Sequence, residues 1–504
     1  MNKIKAIPEK NVLLGVPLDN VDLDDTLQRI HSYIEDFAED GIPRYVTTPN
    51  VDFLVNILRL GSFREKHPEL AAVYRDSEMA ITDGMAVVAA TKLLGARVKG
   101  RVAGSDLVPT LIRTSRNLKI YMLGGDEETL KKTEKVIHEM NPTIDVVGML
   151  SPFIHVKGDK LVDFPEEDLS ITSHINACKP DILLIGLGNP KQELWFRRNR
   201  HRLAVPVSLG IGGTFNFMIG RVNRAPRFMQ VTGLEWLYRV YVEPRRLWRR
   251  YSKGIVLFGQ AMAISFLADR FVRLARFFVR PNSGPALPRK EIRKEACVIN
   301  VAAALTHETV PFHRDLILEE STCCERTVLD FSGTNYIDSA GLGFVFSLRK
   351  VLADAGGRLR LCGVSRLLKL QMFAQRCLAP LGAQMSQNVE TALFSMQNEE
   401  GAGSVTCRAS EEKGTLRVDL SGELTVETAA VLDEKEMLPA GYAGDLLVDM
   451  EGLDFIDTTG IGKVLKLKER LASPSKHLIR VRKGKVRDMF AESDLDDSLN
   501  IHAR

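Results

Sequence analysis

Residues 181–214 read DILLIGLGNPKQELWFRRNRHRLAVPVSLGIGGT. Asp181 to Leu187 is an apolar run that ends in Gly188-Asn189-Pro190, after which Lys191-Gln192-Glu193 opens a helical pattern. Ala204 to Leu209 is a second apolar run, closed by Gly210-Ile211-Gly212-Gly213-Thr214. Continuous apolar runs that stop at glycines and pass into a helix predict buried strands of a parallel sheet. Ligands sit at the carboxyl ends of such strands. The polar cluster Asn189, Lys191, Gln192 and Glu193 is therefore predicted to form one wall of a ligand site.

The chain has 504 residues, enough for about three domains at roughly 150 residues each. With 45% hydrophobic and 26% charged residues, each part can bury a core. Net charge is only +4, but arginines and lysines crowd the stretch from Arg239 to Lys294, which points to an anionic partner: a membrane surface, a diphosphate or a nucleic acid. The seven cysteines form no CxxC pair, so no zinc site is expected, and their odd number in apolar context favours a reducing cytosol. The N-terminal stretch lacks the pattern of a signal peptide. The longest apolar run, Gly254 to Ala268, is shorter than the roughly 20 residues that span a bilayer, which predicts attachment without crossing.

From Asn11 to about Tyr251 strand and helix patterns alternate, the mark of an α/β domain. Val12 to Val16 is predicted as a strand leading through Pro17 and Asp19 to a helix, Leu23 to Phe37. Arg44 to Thr47 ends in Thr48-Pro49-Asn50 before a helix from Val51 to Leu60; Thr and Asn there suit a ligand edge, and equally an ordinary N-cap. Met79 to Thr82 is closed by Asp83-Gly84, a plain turn or a carboxylate base facing the crevice. Arg101 precedes the next helix and is a phosphate ligand or a surface charge. Lys119 to Leu123 passes through Gly124-Gly125-Asp126 into a helix, where the backbone can approach an anion closely. This pair is not the GxGxxG fingerprint, so a nicotinamide enzyme is disfavoured. Arg239, Arg246 and Arg249 stack on one helical face if Pro244 is accommodated, either clamping a diphosphate or forming a solvated basic face.

Thr48-Pro49-Asn50, Thr82-Asp83-Gly84, Arg101-Val102-Ala103-Gly104, Gly188-Asn189-Pro190-Lys191-Gln192-Glu193, Gly210-Ile211-Gly212-Gly213 and the GLEWLYR stretch from Gly233 together resemble the WecG/TagA/CpsF glycosyltransferases. The resemblance covers about Asn11 to Tyr251. It implies a Rossmann-like, metal-independent inverting enzyme without cofactor. Such an enzyme moves N-acetylmannosamine, its uronate or glucose from UDP to a polyprenyl-diphosphate-linked acceptor at the cytoplasmic membrane face, in surface polysaccharide assembly. Residue by residue it implies Asp83 as base, Thr48, Asn50, Asn189 and Gln192 at sugar or acceptor, and Arg101 on phosphate. Gly124 and Gly125 would line the UDP pocket, and Arg239, Arg246 and Arg249 would close over the diphosphate. The segment from Gly254 to Arg280 departs from the usual family ending; its apolar and aromatic residues among arginines predict an interfacial anchor, with packing on a neighbouring domain as the alternative. Pro281 to Pro288 is a linker.

The second half repeats itself. Tyr336-Ile337-Asp338-Ser339-Ala340-Gly341-Leu342-Gly343 returns as Phe455-Ile456-Asp457-Thr458-Thr459-Gly460-Ile461-Gly462, and Cys297 to Val301 reads as an edge-like strand of the first copy. Both copies resemble STAS domains, the anti-sigma-factor-antagonist fold. That resemblance implies Ser339 and Thr458 as phosphate acceptors from a partner kinase; the plain reading is an N-cap in a docking module. The expected organisation is thus a Rossmann-like parallel-sheet transferase over 1–253, a basic amphipathic segment and linker over 254–294, and two small α/β STAS domains over 295–400 and 401–504. The expected location is cytoplasmic, peripheral on the inner face of the cell membrane. The competing class is a regulatory scaffold acting through STAS protein contacts. A nucleic-acid partner is disfavoured, because the aromatic-rich amphipathic pattern suits lipid better.

Overall fold

The computed structural model describes residues 6–63, 65–154, 156–157, 160–161, 165–222, 224–226, 228–229, 235–242, 244–275, 285–293, 296–318, 326–382 and 384–398, then 406–412, 414–424, 432, 442, 444–456, 458–469, 471, 477–481, 486 and 501–503. The chain forms two compact units, 1–394 and 395–504.

The first unit opens with β1 (Lys10–Leu13) and β2 (Val16–Asp19), an antiparallel hairpin where a single strand was predicted. Leu14 and Gly15 both take positive φ, 51° and 85°, and reverse the chain in the two-residue turn that suits strand twist. Next come α1 (Leu23–Asp40), β3 (Arg44–Thr47), α2 (Val51–Ile57), α3 (Pro68–Asp76), β4 (Met79–Ala80), α4 (Met85–Leu93) and α5 (Gly104–Thr114). β5 (Lys119–Leu123), α6 (Glu127–Met140), β6 (Asp145–Leu150), the small pair β7 (Val156–Lys157) and β8 (Lys160–Leu161), and α7 (Pro165–Cys178) follow. The quoted stretch supplies β9 (Ile182–Ile185), α8 (Lys191–Asn199) and β10 (Val207–Gly210), and α9 (Thr214–Met218) comes next.

β4-β3-β10-β9-β5-β6 make one six-stranded sheet, parallel at every pairing. The two strands read first from the sequence lie at its centre, fully buried, which is why their apolar runs are unbroken. Helices cover both faces, with Val46, Ile120, Leu184 and Leu209 in one core and Tyr45, Tyr121, Leu183 and Trp195 in another.

α10 (Glu235–Val242) and α11 (Pro244–Ala275) follow. Proline lacks the N–H that would continue a helix and is favoured at a first turn, so Arg239 stands on one helix and Arg246 and Arg249 on the next; no single row of three forms. The side chains of these three arginines lie outside the described residues. α11 is also longer than the apolar run suggested. Its Ser252–Ala275 portion, 24 residues holding an 18-residue stretch of mean hydropathy 1.6, is long and apolar enough to cross a membrane by length and composition alone. One face is nevertheless packed on protein: Ala261 and Met262 join the core beneath α2 and α3, and Ser265, Asp269 and Val272 are buried.

The first unit continues through β11 (Arg289–Arg293), β12 (Ala296–Asn300), β13 (Ala304–Leu305), α12 (Val310–Leu318), β14 (Arg326–Asp330), β15 (Tyr336–Ile337), α13 (Ser339–Asp354), β16 (Arg358–Cys362), α14 (Arg366–Ala374), α15 (Leu378–Gly382), β17 (Met385–Ser386) and α16 (Val389–Asn398). Its sheet runs β11-β12-β14-β16-β17, antiparallel at the first pair and parallel elsewhere. The strand containing Cys297 is internal, and the edge belongs to β11, inside the segment expected to be a linker.

The second unit holds β18 (Thr406–Glu412), β19 (Thr415–Leu424), β20 (Asp445–Ile456), α17 (Thr458–Glu469), β21 (His477–Val481) and β22 (Ile501–Ala503), paired in strand order around Val418, Val448, Val464 and Ile479. Thr458 begins α17, as an N-terminal position should, but its side chain and Asp457 lie outside the described residues.

Candidate active site

The carboxyl ends of β3, β4, β5, β9 and β10 meet at one edge of the parallel sheet. The Asp83 amide donates to the Pro49 carbonyl at 3.0 Å, and the Val102 amide to the Thr82 carbonyl at 2.9 Å, so the turns after β3 and β4 and the Arg101 segment are stitched together. Thr48 is buried and donates to the Gly210 carbonyl at 2.9 Å. Asn50 caps α2, its Oδ1 accepting from the Phe53 amide at 3.2 Å, so the N-cap reading describes that oxygen. Gly84 follows Asp83 at φ 111°, a conformation that a side chain would strain, and leaves its Cβ position 4.0 Å from the Asn50 Cβ. Asp83 is half-buried beside this pair.

Two guanidinium groups converge next to it. Arg101 donates to Asp106 at 2.9 Å and to Glu235 at 3.1 Å, while Arg224 grips Asp106 through both terminal nitrogens. The Asp106 hydrogen bonds hold the Arg224 pKa above its ordinary value, with the charges of Asp106, Glu235 and Asp83 adding to the effect. Burial would raise the Asp106 carboxyl, but Arg224 and Arg101 together keep it below the usual range. Arg224 did not stand out in the sequence; its only local signal is the Arg224-Ala225-Pro226 stretch after the glycine-rich turn. Among the described residues its buried Nε has no hydrogen-bond partner.

Gly124 and Gly125 have φ of 97° and 84°. A Cβ at Gly124 would lie 2.8 Å from the Gly186 carbonyl carbon, and one at Gly125 would lie 3.7 Å from the Phe215 ring, so these glycines let β5 meet the turns after β9 and β10. Asn189 and Gln192 stand in a hydrogen-bond network beside these turns. The Asn189 amide donates to Tyr74 Oη and to Glu193 Oε2 at 2.9 Å and accepts from Asn56 at 2.6 Å. Gln192 is fully buried, donating to Glu193 Oε1 at 2.8 Å and accepting from the Gly212 amide at 3.0 Å. Gln192 thus braces the glycine turn at Gly212, while half-buried Asn189 is tied to Tyr74, Asn56 and Glu193. They converge on Glu193, which the sequence placed in the cluster without a role. Burial pushes its carboxyl up to about 7, partly offset by the Gln192 and Asn189 hydrogen bonds.

A half-buried carboxylate beside two arginines, at the ligand edge of a parallel sheet, is the geometry of a group-transfer site that takes a proton from a nucleophile and receives an anionic leaving group. The family described as "Glycosyl transferase WecG/TagA/CpsF family" matches residues 11–271, and "STAS domain" and "Mlab, STAS domain" match residues 288–391 and 407–501. The chain belongs to the WecG/TagA/CpsF glycosyltransferase family and carries two STAS domains after the transferase. Among its relatives is the N-acetylglucosaminyldiphosphoundecaprenol N-acetyl-beta-D-mannosaminyltransferase of Bacillus spizizenii, 26% identical over 238 residues, 46% of this chain and 85% of the relative. The protein of the same name from Staphylococcus aureus is 23% identical over 253 residues, 50% of this chain and 92% of its own. A solved anti-sigma factor antagonist from Mycobacterium paratuberculosis aligns with 20% of this chain and 86% of its own, at 19% identity and a TM-score of 0.19.

Proposed function

We propose that this glycosyltransferase moves an N-acetylmannosamine-type sugar or glucose from UDP to a polyprenyl-diphosphate-linked acceptor, working peripherally on the cytoplasmic face of a membrane in surface polysaccharide assembly. The observation that carries the reading is the stitching of the Asp83 turn to the Asn50 turn, with the Arg101 and Arg224 guanidinium groups alongside. Asp83 takes the proton of the acceptor hydroxyl as that oxygen attacks C1 of the donor sugar. The bond from C1 to the diphosphate oxygen breaks with inversion, and its electron pair leaves on UDP, whose charge the arginines offset.

The membrane reading draws on α11. Val256, Leu267, Phe271 and Leu274 are exposed and, at 3.6 residues per turn, share the side of the helix opposite its buried face, with exposed Trp248 and Ile255 at its flank. Arg270 stands among them with its guanidinium 4.9 Å from the Phe266 ring. An apolar stripe with basic residues suits the headgroup boundary. The STAS domains form the regulatory part.

The test is a panel of UDP-sugars with a short-chain polyprenyl-diphosphate-GlcNAc acceptor, reading UDP release with the wild type and Asp83→Asn. Acceptor-dependent release from one donor, lost in the variant while UDP still binds, supports the reading. Release unchanged by the substitution removes Asp83 as base.

A further inference from the structure

The sequence resemblance implied Ser339 as a phosphate acceptor at a helix N-terminus, and Ser339 does begin α13. Ser339 is buried and donates from Oγ to the Val12 carbonyl of β1 at 2.7 Å. One turn further along α13, Gly343 meets the hairpin backbone: a Cβ there would lie 1.9 Å from the Lys10 carbonyl oxygen, so only glycine admits this approach. Ile7 and Val12 enter the same apolar core as Ile337, Leu342 and Phe346. Two turns on, Lys350 pairs with the half-buried Glu78 at 3.2 Å, and Glu78 also accepts from the Tyr45 amide at 2.7 Å.

We infer that the first STAS domain is a positioning element of the transferase: the start of its α13 is a receptor for the β1–β2 hairpin, which in turn holds the Asp83 and Arg101 segments. This rests on the reading of Asp83 as base. The chain of contacts is continuous. Asp19 of β2, paired with Lys10 at 2.8 Å, accepts from the Ala80 amide of β4 at 2.9 Å, three residues before Asp83. Asn20 accepts from the Lys99 amide at 2.9 Å, two residues before Arg101, and Asn11 donates to the Arg97 carbonyl at 2.8 Å. A two-stranded hairpin has little stability alone, so the cover that α13 provides sets how firmly β4 is braced. The start of α13 is filled by the chain's own N-terminal hairpin, and Ser339 is out of a kinase's reach while it stays there.

The test uses the full chain with Gly343→Ala, which raises the helix propensity of α13 while placing a methyl group against the Lys10 carbonyl. Hydrogen exchange is read on peptides covering 10–19, 79–84 and, as a control, 358–362; kcat and KM for the UDP-sugar are read in parallel. The expected result is exchange at least about tenfold faster in 10–19 and 79–84 with 358–362 unchanged. Turnover should fall about tenfold or more while donor KM stays within about twofold. Lys350→Ala, outside the STAS core, should shift the same peptides in the same direction even if Gly343→Ala loosens the whole domain. Wild-type exchange in 10–19 and 79–84 in both variants overturns the docking, and faster exchange with unchanged kcat overturns the positioning role. Exchange is independent of which sugar is used, so a wild type inactive with every donor fails the transfer reading separately.

Discussion

Replacing Glu193 by Gln should remove a pH dependence from the stability of the transferase. The carboxyl has no exposed surface, sits between the Gln192 and Asn189 amides, and titrates at about 7 where an unperturbed glutamate has 4.5. Because the folded pKa is the higher one, the protonated form is favoured by folding. The stability it contributes is therefore fully present below pH 4.5 and is lost as pH rises through 7. At about 1.4 kcal/mol per pH unit, the loss reaches about 3 kcal/mol above neutrality. Glutamine keeps the shape and titrates nowhere, but turns an amide donor toward one of its donor neighbours, adding a pH-independent cost of about 1–3 kcal/mol. Urea unfolding across pH 4.5 to 8, followed by the fluorescence of fully buried Trp195, gives both terms. Wild-type stability relative to the variant should fall by about 3 kcal/mol from the acid to the alkaline end, enough to close or reverse the gap. A gap that does not change with pH would refute the reasoning.

Lys350→Ala should leave Glu78, whose carboxyl burial would raise but Lys350 and Arg200 hold at about 2, with half its compensation; a loss of about 3 kcal/mol or more at neutral pH is expected in the same assay. The wild-type contribution of Glu78 is present above pH 4.5 and lost as pH falls toward 2, so the variant's deficit should shrink in acid. Leu267→Glu with Phe271→Glu, both on the exposed stripe of α11, should abolish pelleting with anionic liposomes and leave the thermal midpoint within about 2 °C; undiminished pelleting would sink the interfacial role.

The central strands β9 and β10 were legible because burial on both faces writes itself as an unbroken apolar run, and the glycine turns because their positive φ excludes other residues. The β1–β2 reversal was not, since Leu14-Gly15 sits inside a run that reads as one strand. Of the residues that the motifs singled out, Asp83, Asn50 and Arg101 lie on turns bonded to one another. Arg224 and Glu193 escaped because their significance lies in partners: Asp106 is 118 positions from Arg224, and Glu193 matters only for the two amides folded onto it. Gly343 looks like a helix-start residue until the Lys10 carbonyl is seen against it.

The bond between Ser339 and Val12 joins positions 327 residues apart. On the ribosome the hairpin is made first and its receptor more than 300 residues later. At 5–20 residues per second the gap is on the order of tens of seconds. Throughout that interval the parallel sheet can assemble while its N-terminal ribbon has no lid, leaving Ile7 and Val12 without the apolar core they later enter. The hairpin thus gains its cover only once the domain behind the transferase has been made, and a chain cut short before Ser339 would carry the Asp83 turn without the support that α13 gives the hairpin.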